Sequence, residues 1–316
     1  MSDKEMTITV LMPAFNSARF LPAAISSVLE QTYADFEFII VDDGSTDETP
    51  LILRSYANQD SRIKIITHPN MGMGRSLNDA MKEAKGNWIA RIDADDIMMP
   101  QRLERQIIFL NENPHLAVAS SLVYYINENG RTIGKYSSRF TSRAAVTEAH
   151  QKHEPIGFHH PAAIFRKDII QSVGGYRPEF WPADDMDLWN RVADAGHEVL
   201  VQPELLTKYR IHSSSVTVGQ FRTTEGKAHW VEACIKARHS NQPEPTWEGF
   251  QAQRHRQSWL QQFNDFRQDY GRALYKSAVC HFSHRRYERF LPRLMAAAAL
   301  EPWYVLQRVL PQLRRS

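Results

Sequence analysis

Short apolar or β-branched runs recur along the first two thirds of the chain, at residues 7–12, 36–41, 63–66, 88–93 and 117–125. Between them, at residues 20–30, 46–56, 74–85 and 102–111, apolar positions repeat at helical spacing. The runs have the length and composition of buried strands, and the intervening stretches read as amphipathic helices. Such alternation predicts an α/β domain, a mostly parallel, Rossmann-like sheet flanked by helices on both faces. In sheets of this kind ligands bind outside the carboxyl ends of the strands. Polar residues directly after a strand run are therefore where chemistry is expected.

The pattern changes after residue 223, where strand signals give way to Gln, Arg, His, Trp and Leu. The segment NQPEPT at residues 241–246 reads as a linker. Helices are expected from 247 to 316, interrupted at Pro292, Pro302 and Pro311. The predicted division is a catalytic domain over residues 1–222 and a C-terminal helical region over 223–316.

With 316 residues, 42% of them hydrophobic, the chain can bury a full core without disulfides or a structural metal. Its two cysteines, Cys234 and Cys280, lack CxxC spacing and read as buried thiols of a reducing compartment. The opening MSDKEMTITVLMP runs from a polar tail straight into a strand, without the basic and apolar regions of a signal peptide. The apolar run at 294–300 falls far short of the ~20 residues of a membrane span. A cytoplasmic protein is expected. The net charge of +2 hides an asymmetry: residues 251–316 carry twelve Lys/Arg against four Asp/Glu. A basic helical surface of that kind suits an anionic membrane surface, or is simply a solvated face. No nucleic-acid partner is expected.

Four polar clusters stand at element ends. In Val41-Asp42-Asp43-Gly44-Ser45-Thr46-Asp47, two carboxylates end a strand, and Gly44 permits the turn, with Ser45 or Thr46 as the predicted cap of the next helix. A carboxylate there can accept a hydrogen bond from a base N–H or a ribose hydroxyl, or the acids merely favour the helix start. In Arg91-Ile92-Asp93-Ala94-Asp95-Asp96, Asp93 and Asp95 are two apart on a predicted strand end and should project to one side. Two such oxygen ligands together with a diphosphate suit Mn²⁺ or Mg²⁺, although an acidic loop without an ion has the same spelling. Asp184, Asp185 and Asp187 open a predicted helix over 184–195 that Gly196 closes. First-turn acids fit the helix dipole. One of them can equally be a general base for a sugar hydroxyl, while Asp187 should point elsewhere. Tyr209-Arg210-Ile211-His212 offers a histidine that is either structural or a metal ligand. His159-His160-Pro161 reads as a turn or a further site.

Taken together, in order, these clusters resemble the family 2 inverting glycosyltransferases of the bacterial surface-polysaccharide type, which have the GT-A fold. The resemblance covers roughly residues 7–220. It runs through VLMPAFNSARFLPAAISSVLEQTYADFEFIIVDDGSTDET, NMGMGRSLNDAMKEAKGNWIARIDADDIMMPQRLE, HHPAAIFRKDIIQSVGGYRPEFWPADDMDLWNRVADAG and YRIHSSSVT. It implies that Pro13 and Phe15 line a nucleoside pocket, that Asp43 meets the uracil, and that Arg75 and Asn78 cover the diphosphate. It places Asp93 near the ribose and makes Asp95 the main metal ligand, with His212 completing the set. Asp185 matches the catalytic base. The residue before it is usually Glu in the family and is Asp184 here. The implied reaction is inverting transfer from a UDP-sugar to a glycan or lipid-linked acceptor, by an enzyme peripheral on the inner membrane face. Sugar selectivity is expected from the loops at residues 70–75 and 157–160.

Two alternatives predict different features. A nucleotidyltransferase would carry a glycine-rich basic loop after its first strand, where this chain has MPAFNSARFLP with Arg19 as its one basic residue. A non-catalytic sugar-nucleotide-binding assembly subunit would have no need of Asp95, Asp185 and His212. A dinucleotide-binding oxidoreductase is excluded, because Gly72-Met73-Gly74 lacks the third glycine of that fingerprint.

Overall fold

The computed structural model describes residues 6–212, 221–283 and 286–313. Ser213-Ser214-Ser215 of the last cluster and the Cys280 side chain lie outside the description. The chain forms two compact units, one of residues 1–126 and 134–210, the other of 127–133 and 211–316.

The first unit is built on one nine-stranded sheet. Its strands are β1 (Ile8–Ala14), β2 (Phe36–Asp42), β3 (Ile63–Thr67), β4 (Trp88–Arg91), β5 (Ile97–Met98), β6 (Leu116–Ile126), β7 (Thr132–Lys135), β8 (Ile164–Arg166) and β9 (Glu198–Arg210). They lie in the order β3-β2-β1-β4-β8-β6-β9-β5, with β7 paired to β6. The pairs β1–β2, β2–β3, β1–β4 and β6–β9 are parallel, whereas β8 is antiparallel to both β4 and β6. All seven residues of β1 are buried, as expected of a central strand with both faces covered.

Alternation decides which residue serves which face. Val10 and Met12 of β1, with Phe38 and Ile40 of β2, pack with Leu21 and Ile25 of α1 (Leu21–Leu29) and Leu53 of α2 (Thr49–Ala57). Leu11, Ile39 and Val41 point the other way. They pack with Leu77 and Met81 of α3 (Met73–Glu83) and with Leu188 and Trp189 of the later α7 (Asp184–Asp194). Three further helices, α4 (Arg102–Glu112), α5 (Arg143–Gln151) and α6 (Lys167–Ser172), complete the unit.

The structure departs from the sequence expectation at three strands. β9, thirteen residues long, was not expected because Pro203 interrupts its apolar pattern. The strand absorbs the proline in a bulge: Ser121 pairs Gln202, and the next residue, Leu122, pairs Leu205. β5 has two residues and β7 is half solvent-facing, so neither leaves a periodic signal. The cap of α2 also differs, since neither Ser45 nor Thr46 supplies it. Asp47 Oδ1 instead accepts the Thr49 N–H at 2.9 Å, because Ser45 and Thr46 are turned toward the loop after β1.

The second unit is helical, with α8 (Phe221–His239), α9 (Trp247–His255), α10 (Trp259–Ser283), α11 (Tyr287–Leu300) and α12 (Pro302–Leu313). Tyr275, Ala297 and Val305 form a small core where α10, α11 and α12 meet. Pro302 opens α12, where its missing N–H costs no helical bond. The expected interruptions at Pro292 and Pro311 do not occur, since both lie inside helices. Pro292 is the sixth residue of α11 and gives up a single backbone bond, which the packed turns around it tolerate. Among the described residues no helix is long and apolar enough to cross a membrane.

Candidate active site

The carboxyl ends of β1 and β2 lie side by side, with Ala14 paired to Asp42, and the two following loops are tied together. The Asn16 N–H donates to Ser45 Oγ at 2.9 Å, and the Thr46 N–H to Asn16 Oδ1 at 2.8 Å. Pro13 is buried in β1, and Phe15, 49% exposed, stands just beyond it on the loop. Asp43 is buried. Its oxygens accept the N–H groups of Met71 at 2.8 Å and Gly72 at 3.0 Å, and His68 Nδ1 lies 3.2 Å away. Asp43 thus pins the segment that leads into α3. Gly44, at φ +76°, makes this approach possible, because a Cβ there would come within 2.7 Å of the Asn70 nitrogen.

Of the two α3 residues singled out, Arg75 is exposed in the first turn. Asn78 is already engaged. Its Nδ2 donates to the Tyr176 carbonyl at 2.8 Å, and its Oδ1 accepts the Tyr176 N–H at 2.9 Å. Its amide clamps α3 to the segment before α7, and this pairing uses one of the two Nδ2 hydrogens.

The acidic cluster after β4 is held differently from the expectation. β4 ends at Arg91, so strand alternation does not align Asp93 and Asp95. A turn closed by the Asp96 N–H on the Asp93 carbonyl gathers them instead, at 3.2 Å. One carboxylate oxygen each from Asp93, Asp95 and Asp96 lie within 4.8 Å of one another. The fully buried Arg91 donates from Nη2 to Asp93 Oδ1 at 2.7 Å and from Nη1 to the Ile92 carbonyl. Asp96, which sequence reasoning did not single out as a ligand, accepts the Arg210 N–H on Oδ1 at 2.7 Å. Its Oδ2 is buried with no hydrogen-bond partner among the described residues. Burial raises Asp93 and Asp96 above the usual carboxylate range, with the neighbouring Asp95 charge adding to both. Three hard oxygen donors, one of them an orphaned buried oxygen, fit a divalent cation.

Asp184 and Asp185 begin α7. Asp184 is 3% exposed, and its Oδ2 has no hydrogen-bond partner among the described residues. Burial, then the Asp185 charge, raises its pKa to about 7. Asp185 accepts the Met186 N–H at 2.7 Å. Its pKa is raised to about 6 by burial and, further, by the charge of Asp93, against the bond from Met186. The helix dipole was expected to hold Asp185 low; desolvation outweighs it. The charge of Asp93 is felt at Asp185, so the strand-end acids and the helix-start acids lie within electrostatic range of each other. Asp187 points away, as expected, into ion pairs with Arg177 and Arg191.

His212 is buried and belongs to the second unit. His159 and His160 flank the first unit's site in a 3₁₀ turn, and burial lowers both, His159 to about 4, so both are neutral at pH 7. His160 Nε2 lies 2.6 Å from the Tyr176 hydroxyl.

Residues 9–174, just over half of the chain, match the family described as Glycosyl transferase family 2. The chain is 32% identical over 241 residues to the O-antigen biosynthesis glycosyltransferase WbnJ of Escherichia coli, across 73% of this chain and 90% of that one. It is similar in fold to S. aureus TarS in complex with UDP-GlcNAc, with a TM-score of 0.57 and 18% identity over 93% of this chain and 91% of that one. It is also similar to the mannosyltransferase PcManGT of Pyrobaculum calidifontis in complex with GDP-Man and Mn²⁺, with a TM-score of 0.56, 18% identity, and coverage of 95% and 88%. The sheet order, the flanking helices and these neighbours give the GT-A fold with a C-terminal helical unit.

Proposed function

The chain belongs to Glycosyl transferase family 2 and moves a sugar from a nucleotide-sugar donor; we propose that it does so in one inverting step, with Asp185 as the general base. The observation that carries this reading is that two acidic groups from distant segments lie within electrostatic range of each other, one suited to a cation and a diphosphate, the other half-buried at a helix start. With a pKa of about 6, Asp185 is largely ionised at pH 7 yet basic enough to take a proton from an acceptor hydroxyl. Attack by that oxygen on the anomeric carbon then breaks the bond to the diphosphate, and no covalent enzyme intermediate forms.

Pro13 and Phe15 form one wall of the nucleoside site. Asp43 faces the base. A carboxylate offers about four lone-pair directions, so the two backbone bonds it accepts leave room for a pyrimidine N–H. UDP is therefore the first donor to test, although the two structural neighbours carry UDP-GlcNAc and GDP-Man. Arg75 reaches the diphosphate, and Asn78 acts through α3 by fixing it to Tyr176. Asp95 and Asp93, with Asp96 beside them, would hold Mn²⁺ or Mg²⁺, and the resemblance adds His212. When bound, such an ion neutralises charge developing on the departing diphosphate.

The acceptor is a glycan or a lipid-linked saccharide, met at an anionic membrane surface. Of the fourteen exposed large hydrophobic residues among those described, eleven lie between Trp259 and Leu306, within the basic helical unit. That combination supports a peripheral position at the membrane. The experiment is a panel of UDP-, dTDP- and GDP-sugars with Mn²⁺, reading nucleotide release. Release from a UDP-sugar, abolished by EDTA, is expected. Binding without release would favour the assembly-subunit reading.

A further inference from the structure

Four rings from four separate segments of the first unit converge on one another. His159 is central. Its ring centroid lies 4.6 Å from that of Tyr136, 4.7 Å from Tyr209 and 5.5 Å from Tyr125. The Tyr125 hydroxyl lies 3.0 Å from His159 Nε2. Tyr125 and Tyr209 are paired positions on β6 and β9, and Tyr136 follows β7. All four side chains are partly exposed, and they meet at interplanar angles of 45° to 86°, not in a closed stack.

At both ends the cluster is one residue along the chain from side chains linked to the acids. His160, the next residue after His159, is bonded to the Tyr176 hydroxyl, and the charges of Asp184, Asp185 and Asp93 all bear on Tyr176. Arg210, the next residue after Tyr209, donates to Asp96 and to the Asp95 carbonyl. The His159 and Tyr136 rings are uncharged at neutral pH, because desolvation lowers His159 to about 4 and raises the Tyr136 phenol above its ordinary value. A phosphate-bearing ligand needs cations, so this surface does not suit the donor diphosphate. It suits a neutral polyol, whose C–H faces lie on aromatic rings and whose hydroxyls bond to phenols and imidazole.

We infer that Tyr125, Tyr136, His159 and Tyr209 form the subsite for the acceptor's sugar ring, holding the pyranose whose hydroxyl faces Asp185. This rests on the glycosyltransferase reading and identifies the acceptor as a neutral pyranoside at its reactive end.

The test uses the full-length chain, the nucleotide sugar found by the release assay, and a panel of p-nitrophenyl glycosides as acceptors. Tyr136→Ala should raise KM for the best glycoside by roughly 10-fold, the size of one aromatic contact. Tyr136→Phe, which keeps the ring, should stay within about 3-fold on the same scale. Donor hydrolysis without acceptor, and KM for the donor, should be unchanged in both, with thermal melting confirming that both variants fold. An unchanged glycoside KM in both Tyr136→Ala and His159→Ala, alongside normal donor hydrolysis, overturns the subsite and leaves the transferase reading standing. A parent protein that hydrolyses no nucleotide sugar overturns the transferase reading itself, and this inference with it.

Discussion

Asp184 and Asp185 sit where burial works against their charge, and this has two separable consequences. For Asp185 the consequence is a pH profile. Transfer should rise with pH through about 6, as the base loses its proton, and level off above it; a rate constant between pH 5 and 8 would deny Asp185 that role. For Asp184 the consequence is stability. Its folded pKa, about 7, stands well above the ordinary aspartate range. A group raised in this way contributes stability below its unfolded pKa and loses that contribution as pH rises through the folded value. Asp184→Asn should therefore raise Tm more at pH 8 than at pH 5, as read by calorimetry; an equal shift at both would contradict the buried charge. The metal prediction belongs to the same scale. EDTA should abolish turnover and Mn²⁺ or Mg²⁺ should restore it. Asp95→Ala and His212→Ala should each lose most activity while melting as cooperatively as the parent; full turnover in excess EDTA would remove the ion from the mechanism.

At the scale of elements, Asp43 links a residue to a segment. Asp43→Ala would remove the acceptor of the Met71 and Gly72 N–H groups; because Met71 is half-buried and Gly72 exposed, water replaces it in part, and each lost bond costs about 0.5–1.5 kcal/mol. The expected result is a lower Tm, weaker donor binding, and loss of the preference for UDP over GDP in calorimetry; an intact preference would assign base recognition elsewhere. The strands that carry the site were legible in the sequence because β1, β2, β4 and β6 bury near-continuous apolar runs. β9 was not, because the bulge that accommodates Pro203 is a property of its pairing with β6. The same distinction runs through the site. Acids at strand ends and a helix start can be read from local spelling, whereas the clamp of Asn78 on Tyr176 and the gathering of four rings around His159 join segments far apart in the chain.

At the scale of the molecule, the helical unit carries a surface that the basic tail only partly anticipates. Tyr304 packs inward against Tyr275 at 5.6 Å, whereas Trp259, Phe263, Phe266 and Tyr270 are all exposed on α10 at i, i+4, i+7 and i+11, one helical stripe. Replacing Trp259, Phe263 and Phe266 together by Ser should reduce binding to phosphatidylglycerol vesicles more than deleting residues 303–316. Salt should weaken what remains, since charges beyond ~10 Å are screened at 0.1 M. A parent protein that ignores such vesicles at low salt would make the stripe a contact of another kind. The central claim, however, is that Asp185 takes the acceptor's proton, and it is tested most directly by measuring transfer rate, donor affinity and Tm on Asp185→Asn. The substitution keeps the shape and removes the base, so transfer should fall by about 10²–10⁴-fold with donor affinity nearly unchanged and Tm no lower than the parent's; transfer within a few-fold of the parent would contradict the mechanism.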